Sequence, residues 1–200
     1  MKKEKYSHEH NHGGMDKQKH GVSSFCMHDS GVVFDELKIK SGDTFLDLGC
    51  GAGDYAIHAS KIVGDYGLVY ALDRWEEVIS GLASKAASQG LNNIKAIVAD
   101  ISSRLPIDSR RIDVCLIATV LHGFDLTSSG ITLFNEVRRI LKPHGRIAII
   151  ECKKEDTPFG PPIHLRLSAK EIEDIVIPCG FSKMRLTNLG YNYMLQFNIK

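Results

Sequence analysis

FLDLGCGAGDY, residues 45–55, decides how this chain is read: an apolar run closes on an acid, three glycines follow at alternate positions, and a second acid comes next. Phe45, Leu46 and Leu48 predict a buried strand, TFLDL over 44–48. Gly49, Gly51 and Gly53 permit a tight turn and let a ligand come close to the backbone. The segment 54–64 then repeats apolar residues at Ala56, Ala59, Ile62 and Val63, the spacing of one helical face. Strand, glycine turn and helix in that order aim the free N–H groups of the helix start at whatever occupies the turn.

Outward from the turn the two periods keep alternating. GLVYALD (67–73), NIKAIVAD (93–100), IDVCLIAT (112–119) and GRIAIIEC (145–152) predict further strands. WEEVISGLASKAASQG predicts a helix closing at Gly90. Ile131, Phe134, Val137, Ile140 and Leu141 predict the buried face of a longer helix, with Arg138, Arg139 and Lys142 in its last turn and Pro143 as its stop. Ser168 and Glu171 predict a capping box for a short helix carrying Ile172, Ile175 and Val176, ended by Pro178 and Gly180. FSKMRLTNL and YNYMLQFNI, joined near Gly190, predict a closing hairpin. Strands fed in turn by helices form a mostly parallel sheet covered on both faces, and the hairpin adds an antiparallel strand.

At 200 residues the chain is one domain by size, expected over 25–200 behind a polar, histidine-rich arm over 1–24. Lys plus Arg total 25 against 24 for Asp plus Glu, and the net charge of +1 argues against a general pull toward nucleic acid or anionic lipid. MKKEKYSHEHNHGG has no apolar stretch behind its basic residues and does not read as a signal peptide. VCLIATVL, 114–121, is too short to span a membrane as a helix. Cys26, Cys50, Cys115, Cys152 and Cys179 contain no C-x-x-C pair and suit a reducing cytoplasm. His8, His10, His12, His20, Cys26 and His28 are metal-ligating types, yet no closed structural-zinc spacing is present and no metal site is expected.

Three acids end strands at the carboxyl edge, where open α/β sheets bind ligands: Asp47, Asp73 and Asp100. A dinucleotide fingerprint would need glycine at Asp54, and a carboxylate there opposes a pyrophosphate. A ligand carrying an ammonium group reverses that objection, because Asp47 then offsets its charge. Asp73 is placed to accept from ribose hydroxyls. Asp100 can reach an adenine amino group, with Ile101 as an apolar contact beside it. Trp75 has two readings, flanking the adenine or packing helix to sheet.

LDLGCGAG, ALD with Asp73, VADI with Asp100 and LKPHGRIAIIE together resemble the motifs of the class I S-adenosylmethionine-dependent methyltransferases, over residues 44 to about 152. Most similar in flavour are the small-molecule branches resembling the ubiquinone and menaquinone biosynthesis C-methyltransferases, in which a stretch like HLRLSAKEI precedes the last helix. The resemblance implies a three-layer α/β sandwich, Rossmann-like, with a mostly parallel seven-stranded sheet of order 3-2-1-4-5-7-6 and strand 7 antiparallel. It implies S-adenosyl-L-methionine as cofactor, with Gly49, Gly51 and Gly53 against the methionine part, Asp73 on the ribose, and Asp100 with Ile101 at the adenine. Cys50 in the turn, Arg74 beside Asp73, and Thr119 after strand four complete the expected donor site.

The same resemblance puts the methyl group at the edge of strand four, so Ala118, Thr119 and Val120 are expected to line the pocket. His122 is the expected acid–base residue, with capping of the strand–loop junction as its other reading. His164 and Arg166, in TPFGPPIHLRLS, are expected either to contact an anionic acceptor or to ride an exposed crossover. Only about 15 residues separate strand five from the next helix, little room for a covering insertion, which leaves the acceptor open. ATVLHG lacks the Asn/Asp-Pro-Pro-aromatic pattern of base-flipping enzymes. The expected partner is therefore a small-molecule methyl acceptor, methylated by direct in-line displacement, with no nucleic acid. Rival readings are a non-enzymatic S-adenosylmethionine-binding or metal-binding module, an NAD-dependent oxidoreductase, and a metalloid methyltransferase using Cys26 and Cys50.

Overall fold

The computed structural model describes residues 23–200, so His8, His10, His12 and His20 of the expected arm lie outside the described residues. Seven strands form one sheet: β1 (Thr44–Leu48), β2 (Leu68–Asp73), β3 (Ile94–Val98), β4 (Ile112–Ala118), β5 (Leu141–Cys152), β6 (Phe181–Leu189) and β7 (Asn192–Ile199). Their order is β3-β2-β1-β4-β5-β7-β6, parallel from β3 through β5, with β7 antiparallel to both its neighbours. The helices are α1 (Ser30–Leu37), α2 (Asp54–Val63), α3 (Glu76–Ser88), α4 (Leu126–Ile140) and α5 (Ala169–Val176).

Alternation along the strands decides the layers. Leu46 and Leu48 of β1, with Cys115 and Ile117 of β4, pack with Leu133, Phe134 and Val137 of α4 and Ile172 of α5. Their neighbours Phe45, Val114 and Leu116 pack on the opposite side with Leu37 of α1, Ala59 of α2 and Leu82 of α3. Both faces are covered, which is why the strands read as nearly continuous apolar runs.

Two details of the α4–β5 unit depart from the sequence pattern. Asp125 caps α4 by accepting from Thr127 N at 3.1 Å, and the helix buries Leu126, Gly130, Leu133, Phe134, Val137 and Ile140, whereas Ile131 is 63% exposed. The cause is the close approach of α5: a Cβ on Gly130 would stand 3.0 Å from Ile175 Cγ2, so the contact line runs through the glycine and the next residue turns outward. Pro143 is not the stop. The helix ends at Ile140, Leu141 already pairs with Ile112, and the register then jumps to Val114↔Arg146. Residues 142–145 form the resulting irregularity, the kind of place where a sheet tolerates proline.

The expected capping box is present, with Ser168 Oγ accepting from Glu171 N at 3.3 Å and Glu171 Oε2 from Ser168 N at 2.7 Å. No described helix is long and apolar enough to cross a membrane.

Candidate functional site

The turn after β1 is tied to the end of β2: the amides of Gly49 and Cys50 both donate to Leu72 O, at 2.8 and 2.9 Å. Packing demands two of its glycines. A Cβ on Gly49 would stand 2.6 Å from Val120 Cγ2, and one on Gly53 2.3 Å from Leu82 Cδ1. Gly51 differs, because its missing Cβ, at a φ of +49°, would meet nothing within 4 Å. Open space touches the bare backbone there, as a closely held ligand requires.

Asp47 lies behind the turn, 1% exposed, its Oδ2 accepting from Ala56 N at the start of α2 at 3.1 Å. Burial pushes its carboxyl up to about 7; the Ala56 bond opposes this, and the nearby charges of Asp73 and Asp54 add to it. Asp54 itself pairs with Lys85 at 2.6 Å, so the stronger obstacle to a pyrophosphate is Asp47, whose carboxylate already occupies the helix start. Asp73 Oδ2 accepts from Gly51 N at 3.0 Å and Oδ1 from Trp75 N at 3.2 Å, so the expected ribose acid also braces the turn.

Asp100 is exposed just past the carboxyl end of β3, which stops at Val98, its Oδ1 accepting from Ser102 Oγ at 2.7 Å and Ser102 N at 2.9 Å. These bonds, aided by Arg74, hold its carboxyl below the usual range. Ile101 beside it is 5% exposed and serves mainly the core on the α4 side. The Arg74 guanidinium lies 4.4 Å over the ring of Trp75, which is 41% exposed and does not fill the helix–sheet interface.

At the end of β4, Thr119 adopts a φ of +54°, which β-branched residues avoid. Its amide donates to Ile150 O at 2.7 Å and its Oγ1 to Ala118 O at 2.8 Å. Val120 then packs against Gly49, and a single 3₁₀ turn, Leu121–Gly123, carries His122. Here a residue absent from the sequence-based expectations enters. Glu151, 0% exposed at the end of β5, accepts from Leu121 N on Oε1 at 2.7 Å and sets Oε2 2.9 Å from His122 Nδ1. Its signal was an acid closing an apolar strand, the pattern already shown by Asp47 and Asp73.

Residues 23–37 pack on the α2 side. Phe25 meets Tyr55 edge-on at 5.1 Å, Phe34 stacks on His58 at 4.3 Å, and His28 bridges Tyr55 Oη (2.8 Å) and Asn192 Nδ2 (3.1 Å). His28 thus links the start of α2 to the start of β7, and burial lowers its pKa.

His164 is exposed in the crossover after β5, but Arg166 corrects its expectation. It is 5% exposed, and its guanidinium donates to the carbonyls of Lys153, Glu155, Phe159 and Pro161 and to Thr157 Oγ1, at 2.6 to 3.2 Å. A buried cation requires acceptors around it, and the loop wraps the guanidinium to supply them. Burial, with Asp47 and Asp73 nearby, pushes the Cys50 thiol far up, which disfavours a thiolate there. A hollow of about 820 Å³ lies elsewhere, against Arg110, Asn135 and Arg138, and none of the expected site residues lines it.

Residues 39–194 match a family described as a methyltransferase domain. A demethylmenaquinone methyltransferase of Lactobacillus johnsonii is 31% identical over 126 residues, 63% of this chain and 50% of that protein. One of Staphylococcus saprophyticus is 30% identical over 63% of this chain and 52% of its own length. The chain spans about half the length of the curated relatives it matches. Among solved structures, a SAM-dependent methyltransferase from Aquifex aeolicus aligns with a TM-score of 0.83 at 30% identity, over 92% of this chain and 96% of that one. A geranyl diphosphate C-methyltransferase from Streptomyces coelicolor shares the fold at 16% identity and a TM-score of 0.69, over 86% and 75% of the two chains. Sheet order, glycine turn and family match agree: the chain belongs to the class I S-adenosylmethionine-dependent methyltransferases.

Proposed function

We propose that this chain transfers a methyl group from S-adenosyl-L-methionine to a small-molecule acceptor by direct in-line displacement. The observation that carries the reading is the open backbone at Gly51, flanked by the buried acid Asp47 and braced by Asp73. That cradle suits a compact zwitterionic tail: Gly51 admits it and Asp47 offsets its ammonium. Asp73 accepts from ribose hydroxyls, Asp100 reaches the adenine amino group, and Arg74, Cys50 and the edge of Ile101 flank the same ligand. When bound, the cofactor supplies a methyl group on a positively charged sulfur that departs as a neutral thioether. What remains for the protein is alignment and exclusion of water. Thr119 and Val120 form the wall at the β4 edge, and His122 stands there as the acid–base side chain. His164 is the remaining exposed candidate toward the acceptor.

The acceptor is read as a small molecule because the chain is nearly neutral and the loop after β4 lacks the pattern of base-flipping enzymes. Quinol-like aromatics head the screen, since the relatives' names include demethylmenaquinone. Five free cysteines, four of them buried, fit a reducing, cytoplasmic setting.

Calorimetric titration with S-adenosylmethionine and, separately, NADH tests the reading. Binding of the first with silence from the second is expected, and the reverse overturns it. Uptake of labelled methyl across an acceptor panel tests turnover; tight donor binding that never yields S-adenosylhomocysteine would mark a non-enzymatic module.

A further inference from the structure

The hollow of about 820 Å³ opens at the amino edge of the sheet, where β4 and β5 begin and the antiparallel β7 ends, opposite the edge that carries the cradle. Leu141, Pro143 and Ile199 give it an apolar wall, and Arg110, Arg138 and Arg139 bring it cations. Arg139 is already occupied: its guanidinium donates to Glu136 at 2.7 Å and to the carbonyls of Leu105 and Ile107. Arg110 and Arg138 form no ion pair and no side-chain hydrogen bond among the described residues. Their places are nonetheless set by the fold. Arg110 has a φ of +57°, a left-handed backbone that side chains disfavour, and two bonds keep it there: its amide donates to Arg139 O at 3.0 Å and that of Arg111 to Ile140 O at 2.8 Å. A Cβ on Gly180 would stand 2.8 Å from Arg138 Cζ, 2.9 Å from Nη1 and 3.0 Å from Nε, near-equal distances that lay the guanidinium face-on over the bare glycine. Its N–H groups lie in that plane and stay free to donate. The end of α4 does not call for these two charges, because the carbonyls of Val137, Arg139 and Ile140 already accept from main-chain amides.

We infer that this hollow is a second binding site, for a small organic phosphate, with the phosphate on Arg110 and Arg138 and the organic part against Leu141, Pro143 and Ile199. The planar fork of a guanidinium meets phosphate oxygens two at a time, and two forks with no carboxylate partner suit a group carrying two negative charges. The nearby acids Glu136 and Asp108 act on Arg139 and leave the other two cations uncompensated. The volume falls in the usual range for small-ligand pockets, about 300–1,000 Å³. A nucleic-acid strand is the poorer occupant, because a concave site built on two arginines offers no track for a run of phosphates and the chain as a whole is nearly neutral. At the cradle the Asp47 carboxylate opposes a phosphate, so a phosphate probe discriminates between the two edges of the sheet. No residue is shared with the cradle, and the inference stands apart from the methyl-transfer reading.

Calorimetric titration of the full chain with phenyl phosphate and, separately, inorganic phosphate tests it. Both are expected to bind, phenyl phosphate the more tightly because its ring meets the apolar wall. Arg110→Gln and Arg138→Gln are each expected to weaken phenyl phosphate roughly 10-fold, and the double variant roughly 100-fold, one charged contact being lost at each position. Both side chains are exposed, so urea titration is expected to find the variants folded, and their S-adenosylmethionine affinity is expected to match that of the wild type. Arg138→Lys keeps the charge and loses the fork, and is expected to bind phenyl phosphate nearly as poorly as Arg138→Gln. Silence from phenyl phosphate at millimolar concentration, or equal binding by wild type and double variant, overturns the inference. Wild-type affinity in Arg138→Lys also overturns it, by reducing the site to general attraction between charges. Inorganic phosphate binding as tightly as phenyl phosphate overturns the organic ligand and leaves a site for the free anion. A single-stranded oligonucleotide that binds more tightly than either, and is lost in the double variant, overturns the small molecule in favour of a nucleic-acid surface.

Discussion

The amide of Gly51 donates to Asp73 Oδ2 at 3.0 Å, so the acid that ends β2 holds the one bare point of the turn after β1. Asp73→Asn keeps an acceptor oxygen for Gly51 but loses the charge and an acceptor for a ribose hydroxyl. A hydrogen bond to a charged group is worth about 1.5–3 kcal/mol, so donor affinity is expected to fall roughly 10- to 100-fold while the melting temperature changes little. Calorimetry beside a thermal melt checks both; unchanged affinity would remove Asp73 from the donor site.

Gly51 and Gly53 separate binding from folding. At Gly53 (φ +75°) an added methyl would stand 2.3 Å from Leu82 Cδ1, so Gly53→Ala is expected to add about 1–3 kcal/mol of overpacking at the α2–α3 contact to about 1–2 kcal/mol of left-handed strain. Gly51→Ala meets no neighbour and bears only the strain of its left-handed backbone, about 1–2 kcal/mol, while placing its methyl where the ligand comes nearest. Urea titration should rank Gly53→Ala as the less stable, and calorimetry should find the larger affinity loss in Gly51→Ala. Wild-type affinity in Gly51→Ala would mean that the ligand lies elsewhere.

Donor affinity should depend on pH through Asp47. Its carboxyl is held up to about 7 by burial, so below that value the free protein is mostly protonated there, whereas an ammonium group favours the ionised form. Affinity is therefore expected to rise as pH increases through about 7 and to level off above it. Titrations near pH 6 in buffers of different ionisation enthalpy should count close to one proton released per donor bound. Asp47→Asn should abolish that release and weaken binding most above about pH 7, with the two proteins converging as pH falls.

Stability carries an opposing dependence. The pKa values of His28 and His58 are both lowered, chiefly by burial, so the unfolded chain binds more protons near the ordinary histidine value of about 6.5. Stability from these groups is present above that value, falls as pH drops through it, and stops falling below their folded values. Asp47, with its raised value, acts in the other direction between about 4 and 7, so the informative quantity is the difference between variants. Denaturant titrations of wild type and His28→Gln near pH 7.5 and 5.5 should show a shallower loss in the variant. An equal loss would assign the effect to His58 and leave the His28 bridge without a part in it.

The sheet was legible because short, nearly continuous apolar runs alternate with segments of 3.6-residue spacing, with glycine between them, and TFLDL and FSKMRLTNL match the observed strands residue for residue. Ile131 misled because a helical face is set by the partner helix as well as by hydrophobicity: α5 comes closest where α4 has no side chain. Asp47 and Asp73 were legible as acids ending apolar runs, and Glu151 fits that rule equally well. What the sequence does not carry is the loop it meets, whose Leu121 and His122 lie 30 and 29 residues earlier in the chain. Arg166 and His28 were illegible for a different reason. The environment of Arg166 is made of carbonyls, which carry no sequence signature, and that of His28 of residues as distant along the chain as Tyr55 and Asn192.

Arg166 gives the crossover after β5 a shape that no guest has to induce. Nε, Nη1 and Nη2, fixed in one plane, reach four carbonyls and a hydroxyl along a single short loop, a fan that the three donors of a lysine, all on one nitrogen, cannot span. A loop cast around its own internal cation holds its outline whatever the side chains on its outer surface become.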